Sequence, residues 1–317
     1  MKEFTIGKND AGRRLDRFIA KAAPLLPSSL AQKYIRTKRI KVDGKGAKGD
    51  RKLIEGSSVQ MYVNDEFFAE REEGSFNVAN TAAPDILYED GNILLLNKPA
   101  GVLCHGDGGY ERGSLIDATL AYLRGSGQWR PKDENAFTPA LCNRIDRNTS
   151  GIVIAAKNAE ALRIINEKIK QREIDKLYLA IVHGTPEPPE GALEGHLFKD
   201  SVKNRVYITP VSRPGSKPAA TEYRTIATGN KLALLECKLI TGRTHQIRAQ
   251  LAHAGHPLLG DGKYGSERLN KPYGESRQAL CSYKIEFAFK TDAGPLSYLD
   301  GETFRINDVP FVAKYFP

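Results

Sequence analysis

One stretch of this sequence reads Asn143-Arg144-Ile145-Asp146-Arg147-Asn148-Thr149-Ser150-Gly151, and the apolar residues 151–156 follow it directly. The apolar run has the length and pattern of a buried strand, so the polar stretch is predicted to be a loop at the start of that strand. Asp146 lies between Arg144 and Arg147, and nearby cations favour an ionised carboxylate. Such a carboxylate can attack carbon or accept a proton. On the pattern alone a structural salt bridge is the more common explanation, and both interpretations stay open at this point.

The sequence around this loop predicts a mixture of strands and helices. Asn158 is a candidate N-cap for a helix that follows the buried strand. The fold class predicted is therefore α+β, with a mixed, largely antiparallel sheet and flanking helices. The remaining predicted elements are a strand at 93–97, a strand at 177–182, a hairpin of 219–227 with 231–240, and a helix over 244–254.

A second polar stretch, residues 241–248, reads Thr-Gly-Arg-Thr-His-Gln-Ile-Arg and passes from a strand into a helix. Free N–H groups at a helix N-terminus attract anions, and Arg243 stands beside that end. A phosphate or a carboxylate suits this position, and Asp146 is one candidate partner.

Tyr178 lies in the alternating strand 177–182, on the side opposite Leu177, Leu179 and Ile181. It is predicted to be the aromatic on the polar side of that strand. A packing role is the usual one for such a tyrosine, although beside an ionised Asp it can stack on a base. The segment 96–101, Leu-Asn-Lys-Pro-Ala-Gly, is predicted to be a purely structural strand and turn.

The net charge of +9 is confined to one end of the chain. Residues 1–62 contain 15 Lys/Arg and 6 Asp/Glu, whereas the remainder is balanced. Helical spacing in this region, with Ser28 or Ser29 as a cap, places basic side chains on and just beyond a second helix. These cations are expected to contact phosphates: Lys33, Arg36, Lys38 and Arg39.

Three domain-level units are predicted from this distribution of charge and pattern: a small basic RNA-binding domain at 1–63, an acidic linker at 64–85 and a catalytic domain at 86–317. The first unit resembles the small RNA-binding domain first described in a ribosomal small-subunit protein. The resemblance rests on Arg-Leu-Asp-Arg at 14–17, Tyr-Ile-Arg at 34–36 and Ile-Lys-Val-Asp-Gly at 40–44.

Cysteine and histidine usage argues against a metal site. The four cysteines are scattered and form no CxxC pair, which is typical of a reducing cytoplasm. Zinc at His245, His253 and His256 is disfavoured because neighbouring arginines repel a cation and no fourth ligand is evident. No apolar run is long enough to cross a membrane. The expectation is a cytoplasmic protein, without metal, membrane association or a required protein partner, and monomeric.

Taken together, the segments resemble the RluA family of pseudouridine synthases over roughly residues 86–290. The family's order is Asn-Lys-Pro-x-Gly, His-Arg-Leu-Asp-x-x-Thr-Ser-Gly, Lys-x-Tyr, then Gly-Arg-Thr-His-Gln-Ile-Arg, and the same order occurs here between Asn97 and Arg248. A further segment, His-Pro-Leu-x-Gly-Asp-x-x-Tyr-Gly, appears at 256–265. Two positions depart from the family: Asn143 stands where His is usual, and Ile145 where Leu is usual.

The resemblance implies an RNA isomerase that turns uridine into pseudouridine without any cofactor. It implies Asp146 as the catalytic carboxylate, with Arg243 paired to it and Tyr178 stacked on the uracil. Arg144 would enter the space left by the flipped nucleotide, and Arg147 is expected to assist in RNA binding. Whether Asp146 attacks the anomeric carbon or acts as a base stays open.

Large-subunit ribosomal RNA is the predicted substrate, because of the added amino-terminal domain. Transfer RNA remains an alternative. A non-catalytic ribosome-assembly factor and a glycosidase that releases uracil are two further alternatives from other functional classes.

Overall fold

The computed structural model describes residues 1–68, 82–106, 113–200, 202–203 and 205–317. Within them lie two separate β-sheets, a small one formed by the first 61 residues and a large one formed by residues after 85. The large sheet carries helices on both faces. The fold is therefore the predicted α+β class.

The first sheet has four antiparallel strands in the order β1-β4-β2-β3. Two helices, α1 at Leu15–Ala22 and α2 at Ser28–Arg36, pack on it through an apolar core that includes Phe18 and Ile35. The predicted serine cap of α2 is wrong: Pro27 is the N-cap, and no side chain caps the helix. The strands are β1 Lys2–Thr5, β2 Ile40–Val42, β3 Lys45–Gly46 and β4 Ser58–Met61.

The segment predicted to be an acidic linker, 64–85, lies partly outside the described residues, because 69–81 are not among them. At its start, Asp65–Phe67 form a 3-10 turn. Phe68 then packs back onto the first core, where its ring centroid is 6.1 Å from that of Phe4. The beginning of this segment is thus part of the first packed unit.

The second sheet has eleven strands, and nine of them follow the order β11-β10-β12-β13-β9-β14-β8-β6-β5, with β15 beside β14 and β7 beside β8. Among the described strand pairs only β8 and β14 run parallel. The strands are β5 Ile86–Glu89, β6 Ile93–Lys98, β7 Ala140–Leu141, β8 Ser150–Ala156, β9 Ile174–His183, β10 Glu190–Asp200, β11 Arg205–Thr209, β12 Lys217–Gly229, β13 Leu232–Leu239, β14 Leu280–Phe287 and β15 Thr303–Arg305. The helices are α3 Leu115–Gly125, α4 Ala159–Lys170, α5 Gln246–His253, α6 Glu267–Asn270 and α7 Pro310–Tyr315.

The two faces of this sheet bury different helices because side chains alternate along each strand. On one face, Val153 and Ala155 of β8 pack with α3, and Ala180 of β9 packs with α5. On the other face, Ile152 and Ile154 pack with α4. Asn158 caps α4 as predicted, accepting a hydrogen bond from the Ala161 amide at 2.8 Å.

Contacts between the first unit and the rest of the chain centre on Asn9. Its amide donates to Glu134 Oε1 at 2.6 Å, and its oxygen accepts from the Ala159 amide at 3.1 Å. Asn135 donates to the Thr5 carbonyl at 2.6 Å. These bonds hold the two units side by side, while the division of function between them stays a prediction.

Candidate active site

The loop before β8 presents Asp146 on the sheet face that carries α3 and α5. The loop closes through a hydrogen bond from the Thr149 amide to the Asp146 carbonyl at 3.1 Å. Gly151 follows with φ +113°, and a Cβ there would lie 2.3 Å from the Ser282 carbonyl of β14. Only glycine allows β8 to approach β14 this closely, which fixes where the loop ends and the strand begins. The Asp146 side chain is 23% exposed, so it is reachable from solvent.

Arg248 is the partner of Asp146. Its Nη1 donates to Asp146 Oδ2 at 2.8 Å, while Nε and Nη2 donate to the two oxygens of Asp261 at 2.8 and 3.0 Å. Asp261 is fully buried, and the amides of Lys263 and Tyr264 also donate to it. A guanidinium held at three nitrogens has little freedom to turn, so the positive charge faces Asp146 in one orientation.

The electrostatics of the Arg248–Asp261 pair keep both of these groups charged. Burial alone would raise the pKa of Asp261, but hydrogen bonds from Arg248 hold it below its usual value. Burial opposes the charge on Arg248, and the two carboxylates nevertheless raise its pKa above that of a free guanidinium. The Asp146 side chain therefore faces a permanent cation at hydrogen-bonding distance.

The expected pairing of Arg243 with Asp146 is wrong. Arg243 lies before α5, is exposed, and donates from Nε to the Pro218 carbonyl at 3.2 Å. Its backbone amide donates to Gln246 Oε1 at 3.1 Å. The physical reason lies in the helix phase: Arg248 is three residues before buried Leu251 and faces the sheet, whereas Arg243 lies outside the helix.

The predicted position of Tyr178 on a polar side of its strand is also wrong. Tyr178 is only 5% exposed, because α5 covers this face of β9 and both faces of the strand are buried. It packs in one cluster with Ile145, which directly precedes Asp146, and with Ile247 of α5. Burial raises the pKa of Tyr178, and the charge of Asp146 adds to this effect, so the phenol stays protonated at neutral pH. The ring forms the floor beside Asp146.

A buried lysine supports the catalytic loop from behind, and the sequence pattern did not reveal it. Lys98, at the end of β6, is fully buried, and its three protons go to the carbonyls of Pro99, Val102 and Arg147 at 2.9, 2.7 and 2.9 Å. Burial lowers its pKa to about 8, against the opposing influence of Cys104 and Asp146. The segment predicted to be only a strand and turn therefore ties the chain on both sides of the site together. A lysine at the end of an apolar strand was the available signal.

His245 and Tyr264 complete the wall next to Asp146. His245 Nδ1 is 2.9 Å from the Tyr264 hydroxyl, and its Nε2 is 3.9 Å from Asp146 Oδ2. Burial lowers the pKa of His245, which favours the neutral imidazole despite the nearby carboxylate. No group of three or more metal-ligating side chains occurs in the part of the chain that the structure describes. Within the same residues no helix is long and apolar enough to span a bilayer.

Known proteins resemble this chain over most of its length. The family model described as RNA pseudouridylate synthase matches residues 92–253. Ribosomal large subunit pseudouridine synthase C of Escherichia coli K12 is 32% identical over 284 residues, covering 88% of this chain and 85% of that protein. The protein of the same name from Haemophilus influenzae is 31% identical over 314 residues, covering 97% and 91%. The chain belongs to the RluA family of RNA pseudouridine synthases.

Solved structures agree with this pseudouridine synthase in fold. Human RNA pseudouridylate synthase domain containing 4 superposes with a TM-score of 0.51 at 24% identity, covering 63% of this chain and 83% of that one. Human RNA pseudouridylate synthase domain containing 1 gives 0.53 at 20% identity, covering 73% and 93%. The predicted α+β architecture is confirmed.

The two positions at which this pseudouridine synthase departs from the family's usual loop are both accommodated. Asn143 accepts a hydrogen bond from the Ile154 amide at 2.8 Å, so its side chain pins the loop to β8. Ile145 packs between the α3 and α5 clusters. Cys104 contacts the Ile145 carbonyl at 3.4 Å through its thiol. Asp146 keeps its place in the loop without the usual His and Leu.

The remaining predicted RNA-contacting residues are exposed in this pseudouridine synthase. Arg144 and Arg147 project from the loop on either side of Asp146, and Arg147 also donates to the Gly101 carbonyl at 3.1 Å. On the first unit, Arg39 stacks over Tyr34 at 4.5 Å and donates to the Tyr62 carbonyl. The other exposed cations there are Lys33, Arg36 and Lys38. Among the described residues, none of these four cations of the first unit contacts Asp146.

Proposed function

We propose that this enzyme converts specific uridines of large-subunit ribosomal RNA into pseudouridine, with Asp146 as the catalytic carboxylate. The observation that carries the assignment of Asp146 is its three-part arrangement with Arg248 and buried Asp261. A half-buried carboxylate that solvent can reach, held against an orientated cation above a buried aromatic ring, suits attack on a sugar without loss of the base. The named bacterial relatives support ribosomal RNA as the substrate class.

The roles of the surrounding residues follow from their positions. Arg248 holds Asp146 in one orientation, and Tyr178 supports the base from the floor of the site. Arg144, which is exposed on the loop beside Asp146, occupies the space of the flipped nucleotide, and Arg147 contacts the adjoining backbone. Asp146 acts on the anomeric carbon as a nucleophile or on the sugar as a base, and both routes require the same ionised state.

The first unit is proposed to hold RNA at a distance from the reacting uridine. Its exposed cations follow α2 and the turn after it, and an array of this kind contacts phosphates without reading bases. The proposed division is 1–63 for this RNA-binding unit, 64–85 for the linker, whose first residues up to Phe68 pack onto that unit, and 86–317 for catalysis. A cytoplasmic monomer is part of the same proposal, and the four cysteines are free thiols, as the cytoplasm requires.

The test is a pseudouridine map of total RNA from cells that lack the protein, complemented with wild type, Asp146→Asn or Asp308→Asn. Asp308 is an exposed carboxylate and serves as the matched control. We expect signals in large-subunit RNA that wild type and Asp308→Asn restore and Asp146→Asn does not. Signals confined to transfer RNA would instead establish the alternative substrate. Restoration by Asp146→Asn would disprove its catalytic role.

A further inference from the structure

The turn that contains Asp261 is itself held by a buried asparagine. Asn270, the last residue of α6, is only 7% exposed. Its Oδ1 accepts a hydrogen bond from the Gly260 amide at 2.9 Å, and its Nδ2 donates to the Asp261 carbonyl at 3.5 Å. One side chain therefore bonds the backbone on both sides of the peptide bond between Gly260 and Asp261.

The backbone around Asp261 is packed tightly enough for these bonds to fix its position. Gly260 has φ +75°, and a Cβ there would lie 2.0 Å from the Arg277 carbonyl. A Cβ at Gly265 would lie 2.5 Å from the Asp261 carbonyl, which also accepts from the Gly265 amide at 2.9 Å. The segment 260–265 therefore has little room to move as long as its hydrogen bonds are kept.

His183 ties Asn270 to the neighbouring strand. Its Nε2 is 2.9 Å from Asn270 Oδ1. Because an amide oxygen only accepts hydrogen bonds, this nitrogen carries the proton and donates. His183 is buried and is the last residue of β9, the strand that also carries Tyr178. Asn270 therefore joins the turn of Asp261 to the strand whose tyrosine forms the floor of the site.

These contacts form a continuous series that ends at the catalytic carboxylate. Asn270 bonds the backbone of Asp261, both side-chain oxygens of Asp261 bind Arg248, and Arg248 donates to Asp146. Each group is thus held by the one before it, and the place of Arg248 depends on where the turn of Asp261 lies. Asn270 itself lies beyond the segment 256–265 that resembles the family.

We propose that Asn270 is a positioning residue for pseudouridine formation, which acts through Asp261 and Arg248 on the orientation of Asp146. The inference rests on the proposed function, because it takes Asp146 as the reacting group. Displacing a reacting group by about 1 Å can slow a reaction about 100-fold, even when the substituted residue is far from the chemistry. Loss of Asn270 therefore lowers the rate of the chemical step and leaves the affinity for RNA unchanged.

The test measures single-turnover rate constants for pseudouridine formation, with the enzyme in saturating excess over total RNA from cells that lack the protein. The rate constant then describes the bound complex, so a variant that is partly unfolded does not give a lower value for that reason. Asn270→Ala is measured alone and together with Arg248→Lys. Asn158→Ala is the matched control, because its oxygen also accepts from a backbone amide but caps α4 on the opposite face of the sheet.

A second variant, Asn270→Asp, keeps the oxygen that accepts from Gly260 and His183 but loses the donor to the Asp261 carbonyl. It is measured in the same two backgrounds, so the test does not depend on the folding of Asn270→Ala.

We expect both Asn270 variants to lower the rate constant about 10- to 100-fold at an unchanged half-saturating enzyme concentration, and Asn158→Ala to stay within about twofold of wild type. In the Arg248→Lys background the same Asn270 substitutions should cost less than about threefold, because the contact that they disturb is already lost. Full multiplication of the two losses would overturn the proposal, as would Asn270 variants that react as fast as Asn158→Ala.

Asp146→Asn is measured beside these variants to separate the two failures. An Asp146→Asn enzyme as active as wild type would disprove the proposed function. An inactive Asp146→Asn beside fully active Asn270 variants would overturn only the role of Asn270.

Discussion

Arg248 donates to Asp146 from one nitrogen at 2.8 Å, and its other two bonded nitrogens are both held by buried Asp261. The carboxylate that is proposed to react is therefore orientated by a group that is itself fixed from behind. The two arginines of the stretch 241–248 therefore have different environments. Arg248, at its end, contacts the proposed catalytic carboxylate, whereas Arg243, near its beginning, lies at the surface.

Replacing Arg248 by lysine is expected to lower kcat by about 10²- to 10³-fold, because a single ammonium cannot bond Asp146 and both oxygens of Asp261 together. KM for RNA should change little. The control is Arg243→Lys, for which we expect kcat within about threefold of wild type, since this side chain does not touch Asp146. Single-turnover kinetics on a modifiable RNA measure both. An equal decrease in kcat for Arg248→Lys and Arg243→Lys would show that Arg243 moves to Asp146 when RNA binds.

Removing the buried carboxylate with Asp261→Ala should destabilise the fold by about 3–5 kcal/mol, because the Arg248 charge would be left buried and only partly paired. Urea denaturation measures this change in the free energy of unfolding. The double variant Asp261→Leu with Arg248→Met should recover much of the stability while activity stays lost. If the double variant is no more stable than Asp261→Ala, the loss of unfolding free energy in Asp261→Ala does not come from the unpaired charge of Arg248.

Lys98 gives the protein an unusual dependence on pH. Its folded-state pKa of about 8 lies below the ordinary value of 10.5. Between these values the unfolded chain binds more protons than the folded one, so the contribution of Lys98 to the free energy of unfolding increases as the pH rises. The difference in unfolding free energy between wild type and Lys98→Met should therefore grow by about 3 kcal/mol from pH 8 to pH 10.5. A difference that shrinks over this range would mean that the three carbonyls keep Lys98 charged.

Gly151→Ala should destabilise the protein by about 3 kcal/mol or more. The new Cβ would overlap the Ser282 backbone, and φ +113° is unfavourable for alanine. Gly91→Ala is the matched control, because no atom lies within 4 Å of the added Cβ and its backbone is outside the left-handed region. Its stability should stay within about 1 kcal/mol of wild type. Thermal and urea unfolding measure the stability of both variants. Similar losses of stability in Gly151→Ala and Gly91→Ala would contradict the close approach of β8 and β14.

Much of the fold was predictable because it depends on local pattern. The apolar run before Asn158 and the helical spacing after it predict β8 and α4, and the structure has both with the expected cap. The prediction for Tyr178 failed in one respect. Alternation correctly placed it opposite Leu177, but alternation cannot tell which face a distant helix covers.

The sequence by itself determined the α+β class, the order of the segments, the family and the position of Asp146 in a loop before a buried strand. These depend on spacing along the chain, which is printed in the sequence. Only the tertiary structure decided that Arg248 rather than Arg243 meets Asp146, and that Lys98 closes the loop through the Arg147 carbonyl. Both contacts join residues far apart in sequence. Their geometry depends on helix phase and on the close approach of strands, and neither is encoded by any short pattern.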